Sequence, residues 1–242
     1  MGKTSVAANL AMAWARDGLS VYAVDADPDI SLGWSLGFSD DELERIPPLS
    51  EMEDLIQERA GKGPFFVMNP QVDDVISDYS ATRNGVHLLR MGPMKPGGSG
   101  CYCPENAFLR AVVGTLLAQR GDAVILDMGA GIEHLTRGTT EDVDLMLVVV
   151  EPSRASVKTS KAVEGLARDL GVARIRMVGN KATGPEDEEF IRSSFEPDQV
   201  LAVLPFDSEF QRSERTGTGS DGAFKEAVEG LARAIMAEGA PQ

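Results

Sequence analysis

Short apolar runs punctuate the chain at 21–24, 86–91, 123–126, 145–150, 175–178 and 200–204. Runs of this length without polar alternation predict strands buried on both faces of a parallel sheet. Between them apolar positions recur every three to four residues, which predicts helices over 3–17, 105–119, 153–170, 187–195 and 223–237. Strand alternating with helix is the pattern of an α/β fold, a doubly wound and mostly parallel sheet. Two stretches break the alternation. Residues 37–82 contain Pro47, Pro48, Gly61, Gly63 and Pro64 and show no clean period, so they read as a variable insertion with one or two helices. Residues 93–104 are rich in glycine and proline and read as a loop, and this loop carries both cysteines, Cys101 and Cys103. With no internal repeat or linker, residues 1–242 are expected to form a single domain.

Composition changes the picture of partners more than that of the fold. A hydrophobic content of 43% is enough to bury a core. Against 23 basic residues stand 38 acidic ones, a net charge of -15 that repels phosphate backbones and anionic lipid. Neither nucleic acid nor membrane is therefore an expected partner. No run approaches the ~18 apolar residues of a membrane span, and no secretory signal pattern is present, so a cytoplasmic location is expected. The two cysteines are separated by one residue, a spacing that closes too small a loop to staple a secreted domain.

The chemistry begins at Gly2-Lys3-Thr4-Ser5, the back half of G-x-x-x-x-G-K-[ST]. In such a loop the backbone N–H groups and the helix N-terminus hold the phosphates, the lysine reaches the β and γ oxygens, and the hydroxyl ligates Mg²⁺. Lys3 and Thr4 would have those roles. A P-loop follows a strand, and none precedes Gly2 here. The expectation is that the first strand is missing from this sequence, with Met1 standing where a valine, read from a GTG start codon, belongs. Further along, the run 21–24 leads into Asp25-Ala26-Asp27-Pro28, two carboxylates at the carboxyl edge of the sheet, where α/β ligands bind. The run 123–126 ends in Asp127-Met128-Gly129-Ala130-Gly131, as a Walker B aspartate and a γ-phosphate switch require. The run 175–178 leads to Gly179-Asn180-Lys181, and Leu204-Pro205-Phe206-Asp207 closes the next. An asparagine amide offers an adenine edge both a donor and an acceptor. Taken singly, each aspartate would equally suit a helix cap and Asn180 a turn.

In this order the four elements resemble the deviant Walker ATPases, the family of MinD, ParA and nitrogenase iron proteins, over nearly the whole chain. The resemblance implies a P-loop NTPase of the SIMIBI type that binds ATP/ADP with Mg²⁺ and hydrolyses ATP as a homodimer. It implies a phosphate loop of Gly2, Lys3, Thr4 and Ser5, with Lys3 catalytic, and a first switch of Asp25 on the magnesium side and Asp27 at the hydrolytic water. It implies a second switch of Asp127 and Gly131, and an adenine site of Asn180, Lys181, Pro205, Phe206 and Asp207. The family's signature lysine, which reaches across the dimer, has no counterpart here.

Cys101 and Cys103 sit just before a predicted helix, where the helix dipole favours thiolate. Two copies of the chain would supply a four-sulfur set for zinc or nickel; the pair also reads as incidental. The stretches Gly100-Cys101-Tyr102-Cys103-Pro104-Glu105 and Asp127-Met128-Gly129-Ala130-Gly131-Ile132-Glu133-His134-Leu135 are similar to motifs of the CooC-like family of nickel-insertion accessory ATPases. That resemblance implies a dimer that binds Zn²⁺ or Ni²⁺ through Cys-x-Cys and supports metallocentre assembly in a client metalloenzyme such as carbon monoxide dehydrogenase. His134 reads as a solvated or hydrogen-bonded histidine. Two other readings stand beside it. A MinD/ParA-type positioning ATPase without metal would want a basic terminal helix, whereas 223–237 sets Lys225 and Arg233 against Glu226 and Glu229. An iron–sulfur carrier like the nitrogenase iron protein would separate its cysteines widely.

Overall fold

Each of the six apolar runs forms a strand in the computed structural model, which describes residues 1–27, 31–63, 65–92, 104–118, 122–129, 143–216 and 221–239. The strands are β1 (Ser20–Ala26), β2 (Ala81–Arg83), β3 (Val86–Arg90), β4 (Asp122–Met128), β5 (Met146–Val150), β6 (Ile175–Ala182) and β7 (Val200–Pro205). They lie, among the described residues, in sheets ordered β2-β3-β1-β4 and β5-β6-β7. Every ladder is parallel except that of β2 with β3. The exception is a hairpin whose turn residues Asn84 and Gly85 have φ of 51° and 78°. Two positive φ values in succession are what a two-residue turn needs to follow the strand twist, and Asn-Gly tolerates them best.

Two compact units make up the chain, Met1–Ala13 with Leu135–Gln242, and Trp14–His134. Helix α1 (Lys3–Arg16) starts in one and ends in the other. The Trp14–His134 unit holds the four-stranded sheet, α2 (Leu32–Ser35), and an insertion richer in helix than the one or two elements expected: α3 (Asp40–Glu44), a 3₁₀ turn (Leu49–Glu51), α4 (Glu53–Ala60) and α5 (Asp73–Tyr79). These helices are too short to show a period, and only α3 has a side-chain cap at its start. Ser39 and Glu42 form a reciprocal capping box ahead of α3. Leu49, Ile56, Ala60, Val75 and Ile76 then pack with Phe108 and Leu116 of α6 (Pro104–Ala118) and with Leu89 of β3 in one buried cluster. Each buried leucine, isoleucine, valine or phenylalanine side chain there stabilises the unit by roughly 1.5–3 kcal/mol. Arg90, at the end of β3, donates from Nη1 to the carbonyls of Leu43 (2.6 Å) and Ile46 (2.7 Å), tying the exit of α3 to the sheet.

The other unit carries β5-β6-β7 with α7 (Arg154–Asp169), α8 (Pro185–Ser193), α9 (Ser208–Thr216) and α10 (Ala223–Gly239). The Ser153 side chain caps α7 by accepting the Ser156 N–H at 3.2 Å, and Pro185 opens α8, where a missing N–H costs nothing. Among the described residues no helix is long and apolar enough to cross a membrane.

Candidate nucleotide site

Helix α1 starts at Lys3, directly after Gly2, and its first intrahelical bond runs from Val6 N–H to the Gly2 carbonyl at 3.0 Å. Gly2 has φ of 80°, a left-handed conformation that only glycine adopts without strain. The first turn of any helix presents backbone N–H groups that lack intrahelical partners, and the first turn of α1 contains no acidic side chain to compete for them. An anion would be received by both the N–H groups and the helix dipole. Ser5 is turned aside: its Oγ donates to Glu214 Oε1 on α9 at 2.7 Å, while its carbonyl accepts from Asn9 Nδ2 at 2.8 Å.

The end of β6 lies beneath this loop. Asn180 Nδ2 donates to the Met1 carbonyl at 3.0 Å, and Lys181 N–H donates to Asn180 Oδ1 at 2.9 Å. The Lys181 backbone is itself left-handed, with φ of 62°, and its Nζ pairs with Glu151 Oε1 at 2.7 Å. That hydrogen bond holds the Glu151 carboxyl below the ordinary range. Phe206 is 44% exposed just after Pro205, with its N–H donating to the Ala182 carbonyl at 2.8 Å. It offers an accessible ring at the carboxyl edge of β7. Asp207 has a different task. Its Oδ1 accepts Glu209 N–H (2.9 Å) and Phe210 N–H (3.0 Å), and its Oδ2 accepts Phe224 N–H (3.2 Å), so it caps both α9 and α10. The Phe210 and Phe224 N–H groups hold its carboxyl low.

In the Trp14–His134 unit, Asp25 and Asp127 stand side by side in register at the ends of β1 and β4. Their exposures are 0% and 2%. Asp25 Oδ2 accepts Leu32 N–H at 3.0 Å, while Oδ1 has no hydrogen-bond partner among the described residues. Burial, with the neighbouring Asp127 charge adding to it and the Leu32 N–H opposing it, pushes the Asp25 carboxyl up to about 7. Two buried carboxylates with an unpartnered oxygen are a poor arrangement by themselves and a good one around a divalent cation, so the residues present fit Mg²⁺. Asp27 follows two residues later and is half-buried.

The loop residues Gly2, Lys3, Thr4 and Ser5 thus belong to one unit with Asn180, Lys181, Pro205, Phe206 and Asp207, and the aspartates Asp25, Asp27 and Asp127 to the other. Gly131, His134, Cys101 and Cys103 lie outside the described residues; α6 begins at Pro104, immediately after the cysteine pair. Among the described residues no three His, Cys, Asp or Glu side chains gather as a metal site. Sequence reasoning missed Glu151 and Glu214. Glu151 directly follows the apolar run 145–150, which signals its place at a sheet edge, whereas nothing local signals Glu214.

This chain matches the CbiA family, described as the CobQ/CobB/MinD/ParA nucleotide binding domain, over residues 1–220. The chain belongs to this family. Members of the family are P-loop ATPases, and the mostly parallel α/β fold accords with that membership. Within the family it is similar to the carbon monoxide dehydrogenase accessory protein CooC of Rhodospirillum rubrum, 40% identical over 221 residues, or 90% of this chain and 84% of CooC. It is also 38% identical to the uncharacterized ATP-binding protein MJ0823 of Methanocaldococcus jannaschii over 225 residues, 90% of this chain and 86% of that one. Among solved structures, the septum site-determining protein MinD complexed with Mg-ADP from Pyrococcus horikoshii OT3 has a TM-score of 0.67 at 18% identity, covering 97% of this chain and 90% of MinD. At that identity the likeness shows the fold alone.

Proposed function

We propose that this protein is a dimeric, ATP-hydrolysing accessory factor that binds a metal ion through Cys101 and Cys103 and supports nickel-centre assembly in a client such as carbon monoxide dehydrogenase. The observation that carries this reading is the 40% identity to CooC across 90% of the chain. The Cys-x-Cys pair before α6 supplies the chemistry: two copies provide four thiolates, a set that suits Zn²⁺ or Ni²⁺ as cargo. The whole chain acts as one ATPase domain in the cytoplasm, without nucleic acid or membrane as partner.

At the nucleotide, the α1 N-terminus with Gly2 and Ser5 backbone receives the phosphates and Lys3 neutralises the transferred group. By the family pattern Thr4 would ligate Mg²⁺ and Asp25 would be its magnesium-side carboxylate, and the charge of the ion would offset that developing on the phosphate oxygens. Asp27 orients the attacking water. Asp127 and Gly131 respond to the γ-phosphate, so that ATP and ADP select different states of the dimer. Lys181, Pro205 and the exposed Phe206 ring lie against the adenine, with Asn180 and Asp207 framing them.

The test is metal stoichiometry and oligomeric state, with and without ATP, for the protein and its Cys101→Ala/Cys103→Ala variant. About one zinc or nickel per dimer, lost in the variant while ATP binding survives, supports the proposal. ATP-dependent dimerisation with no cysteine-dependent metal would transfer the protein to the positioning ATPases that its MinD-like fold also accommodates.

A further inference from the structure

Asn180 is a polar side chain only 3% exposed, and both ends of its amide are engaged by the chain itself. With Oδ1 taken by the Lys181 N–H, the amide is oriented so that Nδ2 faces the Met1 carbonyl, 179 residues away in sequence. Lys181 adopts φ of 62° where it presents that N–H. On the other side the fit is tight: a Cβ on Gly2 would come within 2.5 Å of Asn180 Nδ2.

The consequence follows from the planarity of the peptide group. The Met1 carbonyl and the Gly2 N–H belong to one trans peptide, so they point in opposite directions and turn together. Holding the carbonyl toward β6 aims the Gly2 N–H away from it. In a phosphate loop the N–H groups are the grip, and their value lies in being aimed before the anion arrives.

The geometry points to Asn180 as a positioning residue of the phosphate grip, which fixes the Met1–Gly2 peptide and acts on phosphate affinity ahead of base recognition. This rests on the reading of Gly2, Lys3, Thr4 and Ser5 as a phosphate loop.

The isosteric Asn180→Asp variant keeps the acceptor for Lys181 N–H and replaces the Nδ2 donor by an oxygen that repels the Met1 carbonyl. Binding of ATP, GTP and inorganic tripolyphosphate to the full chain is measured by calorimetry, with thermal unfolding alongside. All three ligands are expected to weaken by the same factor, about ten-fold, with the ATP/GTP ratio and the melting temperature little changed. Asn180→Ala carries the same expectation if the aspartate variant does not fold. A loss confined to ATP, with the ATP/GTP preference collapsing and tripolyphosphate binding intact, would make Asn180 a base reader and overturn the inference, as would unchanged affinity for all three. Failure of the unsubstituted protein to bind tripolyphosphate at all would instead remove the phosphate-loop reading beneath it.

Discussion

Asp25 bears an electrostatic cost at the end of β1, because its carboxylate is buried beside Asp127 and the backbone N–H groups offered to it, that of Leu32 at 3.0 Å among them, do not offset the burial. With its carboxyl raised from 3.8 to about 7, the ligand-free folded chain keeps a proton that the unfolded chain has released across that window. The folded state therefore binds more protons, and stability falls as pH rises from 4 to 7. Asp25→Asn retains an acceptor for Leu32 N–H and removes the charge. Thermal unfolding without ligand should show the variant more stable than the parent by roughly 2–4 kcal/mol at pH 8 and nearly equal at pH 4. Equal stability at both values would refute the assignment. Magnesium-dependent nucleotide binding should be lost in the same variant. Asp207 behaves oppositely: its carboxyl is held low by three N–H groups, so its contribution is present at neutral pH and is lost on acidification. Asp207→Ala should cost about 1–2 kcal/mol in urea unfolding at pH 7, the usual loss for a helix cap.

At the scale of elements, the six long strands and five main helices follow from the periods of their apolar residues, and they form within a few residues of the expected bounds. The shorter pieces do not. α3, α4 and α5 span between five and eight residues each, less than a period can reveal, and they persist because tertiary burial of Leu49, Ile56 and Val75 holds them. The hairpin at Asn84-Gly85 was not anticipated either: β2 is only three residues long, too short to stand out as a strand, although Asn-Gly suits a two-residue turn. Gly85→Ala meets both a φ of 78° and Ala15 Cβ at 3.2 Å, and should destabilise the protein by about 1–2 kcal/mol. Arg90→Met keeps the stem of the side chain and leaves the Leu43 and Ile46 carbonyls without their donor. A loss on the order of 2 kcal/mol is expected in denaturant unfolding; a neutral result would mean that the insertion is held by its apolar contacts alone.

For the whole molecule, each copy carries a net charge of -15, so a proposed dimer forms against mutual repulsion. Salt shortens that repulsion, and ATP-dependent self-association followed by sedimentation should tighten as NaCl rises from roughly 50 to 300 mM. Weaker association at high salt would point instead to attractive ion pairs across the interface. By itself the sequence determined the α/β class, the strand ends at which Asp25, Asp127 and Asn180 lie, and the glycine–lysine entry into α1. Those are local properties of period, run length and turn chemistry. Only the tertiary structure decided that Asn180 reaches the Met1 carbonyl, that Asp207 caps α10 as well as α9, that burial pushes the Asp25 carboxyl up to about 7, and that Glu214 bonds Ser5. Each of these depends on contacts between residues far apart in the chain, and on the burial they create, which no local pattern encodes.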